Sequence, residues 1–295
     1  MIKGISYLSF ENGLANTESI ESALAQTKKF GFDALELGIS TEGILTTNTS
    51  KAECLKIRQT IDDSGVFVDS MGTGISWGIS PTSNDEATRK KSIKLHEDAL
   101  KVAGNLGCKA LLIVPGVVKS PISSDIVRYD RALDRLRDAL NHLLPIAEDL
   151  DVDLCMENVW NGFFYSPIEL RDFVDSFTSD KLGVYLDIGN LIGYQQYPPH
   201  WIELLNSRIK RVQVKDFQEN FDWTGSFSFC DLGAGDVPWK ETIDALKVIN
   251  YQNTIIAEML PWDETILSRT SAAMDQLFDC LLYTSPSPRD LSTSR

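Results

Sequence analysis

Histidine is scarce in this chain: His96, His142 and His200 are the whole supply. His96 and His142 fall in helical patterns, and His200 follows Pro198 and Pro199 in a loop, so surface or packing roles are expected for all three. A histidine-rich zinc cluster is thereby excluded. Cysteine is little better represented. Cys54, Cys108, Cys155, Cys230 and Cys280 form no CxxC pair and no even framework, which reads as ordinary thiols of a reducing compartment rather than disulfides. No stretch approaches the roughly 18 uninterrupted apolar residues of a membrane span. The opening MIKGISYL lacks the charged-then-apolar order of a signal peptide, so a cytoplasmic location with no membrane partner is expected. Positive charge is short as well. Lys and Arg number 28 against 42 Asp and Glu, a net charge of −14, which repels nucleic acid and favours a small neutral or metal-chelated ligand.

Against these absences stands a repeated rhythm. Strand-like apolar runs occupy 4–8, 33–37, 66–71, 110–114, 152–157, 182–187, 209–214 and 253–258, with helical patterns at 19–30, 51–64, 86–106, 126–149, 167–177 and 238–249. A chain of 295 residues, 43% hydrophobic, has enough apolar surface for one large core. Eight β-then-α units without a linker predict an α/β fold: a (β/α)8 TIM barrel in a single domain over 1–279. A doubly wound sheet is disfavoured because no GxGxxG follows an early strand. Within GDVPWKETIDAL, Asp236 is expected to cap a helix, Pro238 to sit in its first turn, and Trp239, Ile243 and Leu246 to share one face. A closing helix is expected over 264–278. The tail 280–295 loses periodicity at SPSPRD and resembles a translated sequencing adaptor, so it is expected to be non-native and disordered.

The stretch VDLCMENVW (152–160) poses the functional question, because its apolar run stops on a glutamate. In a TIM barrel the C-terminal ends of the strands share one mouth, where the chemistry is done. Four neighbouring runs end in polar groups: Glu157, Asp187, Gln213 and Glu258. One acid at a strand end is ordinarily a cap or half an ion pair; four on consecutive strands read as a site. Three carboxylates gathered there repel one another unless a cation joins them. Oxygen-dominated ligation suits Mg²⁺ or Mn²⁺.

ENVWNGFFYSP (157–167), VYLDIGN (184–190), RIKRVQVKDF (208–217), LGAGDVPW (232–239) and IIAEM (255–259) resemble signature blocks of the sugar phosphate isomerase/epimerase family, the xylose isomerase-like TIM barrels that include ketose 3-epimerases. The resemblance implies a divalent metal, Mn²⁺, Mg²⁺ or Co²⁺, held by Glu157, Asp187, Gln213 and Glu258. It implies a metal-dependent sugar or sugar-phosphate isomerase or epimerase, in which Glu157 and Glu258 transfer protons through an enediolate of a chelated ketose. A homodimer or homotetramer is implied too. One position departs from the family pattern: HVKD is usual where this chain has QVKD. The Gln213 amide oxygen is also neutral and suits a hard cation, but it binds more weakly than an imidazole. This substitution keeps a catalytically silent sugar-binding barrel in view. An apurinic-endonuclease-like hydrolase is a weaker alternative, opposed by the lack of histidine and the acidic charge.

Further candidates surround this set. Lys215, on the face of Gln213, is expected either to meet a substrate oxygen or phosphate or to neutralise Asp187. Glu36, Asn158 and Asn190 are candidates for sugar hydroxyls, and Trp160 and Phe163 for an apolar wall or for packing. The GAG turn at 233–235 falls where barrels bind phosphate, though a plain tight turn is the simpler expectation.

Overall fold

Strands buried on both faces need continuous apolar runs, and here such runs build a parallel sheet that closes on itself. The computed structural model describes residues 1–120, 122–219 and 227–279. The strands are β1 (Ile2–Ser6), β2 (Ala34–Gly38), β3 (Ser70–Thr73), β4 (Ala110–Ile113), β5 (Asp153–Glu157), β6 (Leu182–Asp187), β7 (Ile209–Val214), β8 (Asp216–Glu219), β9 (Phe227–Cys230) and β10 (Thr254–Ala257). Eight of them form a closed barrel in the order β1-β10-β7-β6-β5-β4-β3-β2, while β8 and β9 pair as a separate antiparallel ribbon. The expected TIM barrel is therefore present. Closure depends on small residues facing large ones: a Cβ on Gly4 would lie 2.4 Å from Ile256 Cδ1, so glycine there makes room for the isoleucine.

Helices α1 (Ile20–Lys29), α2 (Lys51–Ser64), α3 (Ile75–Gly78), α4 (Glu86–Leu106), α5 (Tyr129–Leu150), α6 (Pro167–Asp175), α7 (Ile188–Ile192), α8 (Pro198–Leu205), α9 (Trp239–Val248) and α10 (Ile266–Asp279) alternate with the strands. Local chemistry sets their ends. Ser50 and Glu53 form a reciprocal capping box on α2, and Gly65 ends that helix at φ 71°. On α5 the buried side chains Leu136, Ala139, Leu140, Leu143 and Ala147 recur at helical spacing and pack against the barrel.

Several expectations need correction. The third strand begins at Ser70 rather than at 66, because Phe67 makes only an isolated bridge to Ala34 and is largely exposed. Asp236 does not cap α9. Its Oδ2 accepts instead from the Glu219 amide at 2.6 Å, and Pro238 occupies the cap position without a side-chain bond. Neither the β8–β9 ribbon nor the short helices α7 and α8 were expected. The tail at 280–295 lies outside the described residues. Among those described, Cys54, Cys108, Cys155 and Cys230 are free thiols, and no helix is long and apolar enough to cross a membrane.

Candidate active site

Four strand ends on one half of the barrel deliver the expected polar set. Glu157 ends β5, Asp187 ends β6, Gln213 lies on β7, and Glu258 follows β10; these strands are consecutive around the barrel. Glu157, Gln213 and Glu258 line a cavity of about 690 Å³, together with Glu36, Trp160, Asn190 and Lys215. Asp187 is 0% exposed and reaches the group through Lys215. The Lys215 Nζ stands 2.9 Å from Asp187 Oδ2 and 2.6 Å from Glu258 Oε2, so the lysine neutralises two acids rather than awaiting an anion.

The electrostatics follow from burial. Removal from water pushes the Glu157 carboxyl well above the ordinary range; Lys215 opposes this, while Asp187, Glu258 and Glu36 add to it. Burial likewise raises Asp187 to about 6 against the pull of Lys215. Desolvation disfavours the Lys215 ammonium, but Asp187, Glu258 and Glu157 together outweigh it and hold its proton more tightly than usual.

Asparagines fix the acids in place. Asn158 donates from Nδ2 to the Asp187 carbonyl and accepts from the Asp187 amide, both at 2.8 Å, and it is not among the cavity-lining residues. Asn190 donates to Glu157 Oε1 at 3.2 Å, and its own amide donates to Asp187 Oδ1 at 2.9 Å, so the Asp187 side chain caps α7. Trp160 donates to the Asn190 carbonyl at 3.0 Å and stacks on Phe229 with centroids 5.0 Å apart. Phe163 is buried in the core and packs on Phe164.

Glu36 sits on a second polar layer. It accepts from Ser70 Oγ at 3.1 Å and from the Tyr185 hydroxyl, and burial raises its carboxyl to about 7 despite those bonds. Arg211 pairs with Asp69 at 2.6 Å. Sequence reasoning missed Tyr185, Ser70 and Arg211. Strand alternation could have found two of them, since Tyr185 and Arg211 lie two residues before Asp187 and Gln213 and share their faces.

Gly189 explains why a glycine follows the β6 acid. A Cβ there would lie 2.6 Å from the Lys215 carbonyl oxygen and 2.5 Å from Lys215 Cγ. Gly189→Ala is therefore expected to destabilise the protein by about 1–3 kcal/mol through overpacking, read as a lower urea midpoint. An unchanged midpoint would mean that α7 and β7 are not pressed together there.

The GAG turn is a structural turn. The fully buried Asp216 carboxylate accepts from the amides of Phe217 and Gly233 at 2.9 Å, from the Val237 amide at 3.3 Å and from Trp239 Nε1 at 2.8 Å. Those donors are taken. The histidines stand apart from the mouth: His96 is buried against Ser76 and Ser92, His142 lies 3.6 Å from Glu97, and His200 packs on Tyr197.

A cation's fit is decided by the donors. Among the described residues, no three histidine, cysteine, aspartate or glutamate side chains are grouped to hold a metal ion by themselves. The fourth donor is an amide oxygen, however, and Gln213 Oε1 is buried without a hydrogen-bond partner. A buried amide oxygen with no donor, on the strand between those of Asp187 and Glu258, has the hard-oxygen chemistry a divalent ion takes, while Lys215 supplies the positive charge between Asp187 and Glu258.

Comparison with known proteins agrees with this architecture. A family model described as xylose isomerase-like TIM barrel matches residues 24–276. The L-ribulose-5-phosphate 3-epimerase UlaE of Salmonella heidelberg is 24% identical over 258 residues, covering 87% of each chain. The structure of D-psicose 3-epimerase from Clostridium cellulolyticum H10 superposes with a TM-score of 0.76 at 19% identity, covering 95% of this chain and 99% of that one. That of an L-ribulose 3-epimerase gives 0.74 at 18% identity, covering 98% and 100%.

Proposed function

The chain belongs to the xylose isomerase-like TIM barrel family, and on that footing we propose that it is a divalent-metal-dependent epimerase of keto sugars. One observation carries the reading. Glu157 and Glu258 face the same cavity from strands separated by β6 and β7, so two carboxylates flank the place where a sugar would sit. Epimerisation needs a proton removed from one face of a carbon and another delivered to the opposite face, and two flanking groups meet that requirement. Their roles exchange between the forward and reverse directions. Curated relatives and structural neighbours bearing 3-epimerase names support the same reading.

Each residue has a part. Glu157, oriented by Asn190, and Glu258, oriented by Lys215, hold and move the proton. Asn158 and Asn190 keep Asp187 and Glu157 in register, and Trp160 walls the site against water. A cation such as Mn²⁺ or Mg²⁺, with Co²⁺ also compatible, held by Glu157, Asp187, Gln213 and Glu258, would supply the positive charge that acidifies the proton beside the sugar carbonyl. Glu36 and Asn190, both on the cavity lining, are the side chains assigned here to sugar hydroxyls.

A sugar-binding barrel without turnover is the competing reading, favoured by Gln213 where the family pattern that this chain resembles has histidine. One assay separates the two. With Mn²⁺ supplied, solvent deuterium is expected to enter at least one member of a panel of ketoses, ketose phosphates and inososes, with the epimer appearing alongside in the NMR spectrum. If no member takes up deuterium, the epimerase reading fails.

A further inference from the structure

We infer that the substrate is an uncharged keto sugar carrying an apolar group at the end remote from the reacting carbon, rather than a sugar phosphate; this rests on the epimerase reading above. The two halves of the mouth differ in kind. Glu157, Asn190, Gln213, Lys215 and Glu258 enter from the ends of β5, β6, β7 and β10, with Glu36 from β2, whereas the segments after β1, β3 and β4, α3 among them, supply Leu14, Ile75, Trp77, Ile79 and Ile122 to the same cavity. Leu14 and Ile122 are 66% and 68% exposed, so a ligand reaching them would remove apolar surface from water.

Size points the same way. A hexose has twelve non-hydrogen atoms, and even at about 30 Å³ each, the share of a whole water molecule in the liquid and so a ceiling for bonded atoms, it would fill no more than roughly half of the cavity. The remainder is the apolar half. A flat aromatic group suits it, because Trp77 stands there and a ring buries much surface while giving up little conformational freedom.

Charge disfavours a phosphate. Lys215 is the one cation among the described lining residues, and it is held by Asp187 and Glu258. Pro121 and the stretch NFDWTGS (220–226) contain no lysine or arginine. The amides of Gly233 and Val237, after β7, are occupied by Asp216. A phosphate dianion entering this mouth would meet Glu36, Glu157 and Glu258, and the one cation among the described lining residues is already paired with two acids.

The test measures solvent deuterium entry, with Mn²⁺ present, into a phenyl keto-glycoside, the matching methyl keto-glycoside and a ketose phosphate. The expected kcat/KM is at least tenfold higher for the phenyl than for the methyl compound, with the phosphate slowest. Trp77→Ala is expected to narrow the phenyl-to-methyl ratio below threefold; if that variant does not fold, Leu14→Ser at the exposed rim carries the same ratio test. Equal rates for phenyl and methyl compounds, or a phosphate that reacts best, would overturn the substrate assignment and leave the epimerase reading standing. Absence of exchange into all three compounds, with exchange into a free ketose of the panel above, would overturn the substrate assignment alone; absence there too would remove both.

Discussion

Glu157→Gln is expected to lower the rate of solvent deuterium entry into a responsive keto sugar by about 10²–10⁴-fold, the usual contribution of a positioned acid or base. The substitution is nearly isosteric, and a glutamine carbonyl can still accept from Asn190. Stability should not fall. The Glu157 carboxyl is driven well above its ordinary range by burial, so a neutral amide is cheaper to bury than the charge it replaces. Equal or higher urea midpoints alongside lost exchange would therefore separate a chemical role from a structural one. Glu258→Gln should lose activity to a comparable extent, and the double variant little further, because residues acting as a unit are not additive. Full exchange by Glu157→Gln would move the proton transfer elsewhere.

Lys215→Met is expected to be the most destabilising single change at the mouth when metal is withheld. It strips the counter-charge from Asp187 and Glu258, and removing one partner of a buried pair costs about 3–5 kcal/mol. The pH dependence has a definite sign. Asp187 is raised from 3.8 to about 6 in the folded protein, so its contribution favours folding most below 4 and is lost as pH rises through 6. Loss of Lys215 raises that folded value further and widens the window upward. The gap between variant and parent should thus be small in acid and large above neutrality, measured by urea unfolding with a chelator present. Mn²⁺ should recover part of the loss, because a divalent ion replaces the missing positive charge. A variant as stable as its parent in chelator at high pH would show that the acids do not need the ammonium.

Much of this was legible in the sequence where one signal dominated. The fifth, sixth and seventh strands end within a residue of the bounds read from VDLCME, LGVYLD and IKRVQV, because each apolar run stops at a polar group that serves the mouth. Reading failed where two signals competed. VFVDSM reads as strand from its valines, yet chain entry into the barrel begins at Ser70, whose small side chain meets Glu36. Asp236 had cap chemistry and helical spacing, but tertiary contact with the β8 strand took its carboxylate. The layer of Tyr185, Glu36, Ser70 and Arg211 was invisible for another reason: its partners come from β6, β2, β3 and β7, and no local pattern announces a hydrogen bond spanning 149 positions. Likewise, the residue types of QVKD did not show whether its lysine would point at a ligand or at its own neighbours. Burial settled that in favour of the neighbours.

The carboxylate of Asp216 carries a lesson for redesign. By lodging its own acid among the amides behind the seventh barrel strand, the chain has an internal stand-in for the headgroup that other barrels recruit from their ligands. Converting this scaffold to esterified metabolites would thus begin with subtraction, by vacating that seat, before any arginine is added. A carboxylate evicted from the turn would also leave Trp239 without its acceptor, so tightening of the ribbon and a change of ligand preference are tied to the same two oxygens.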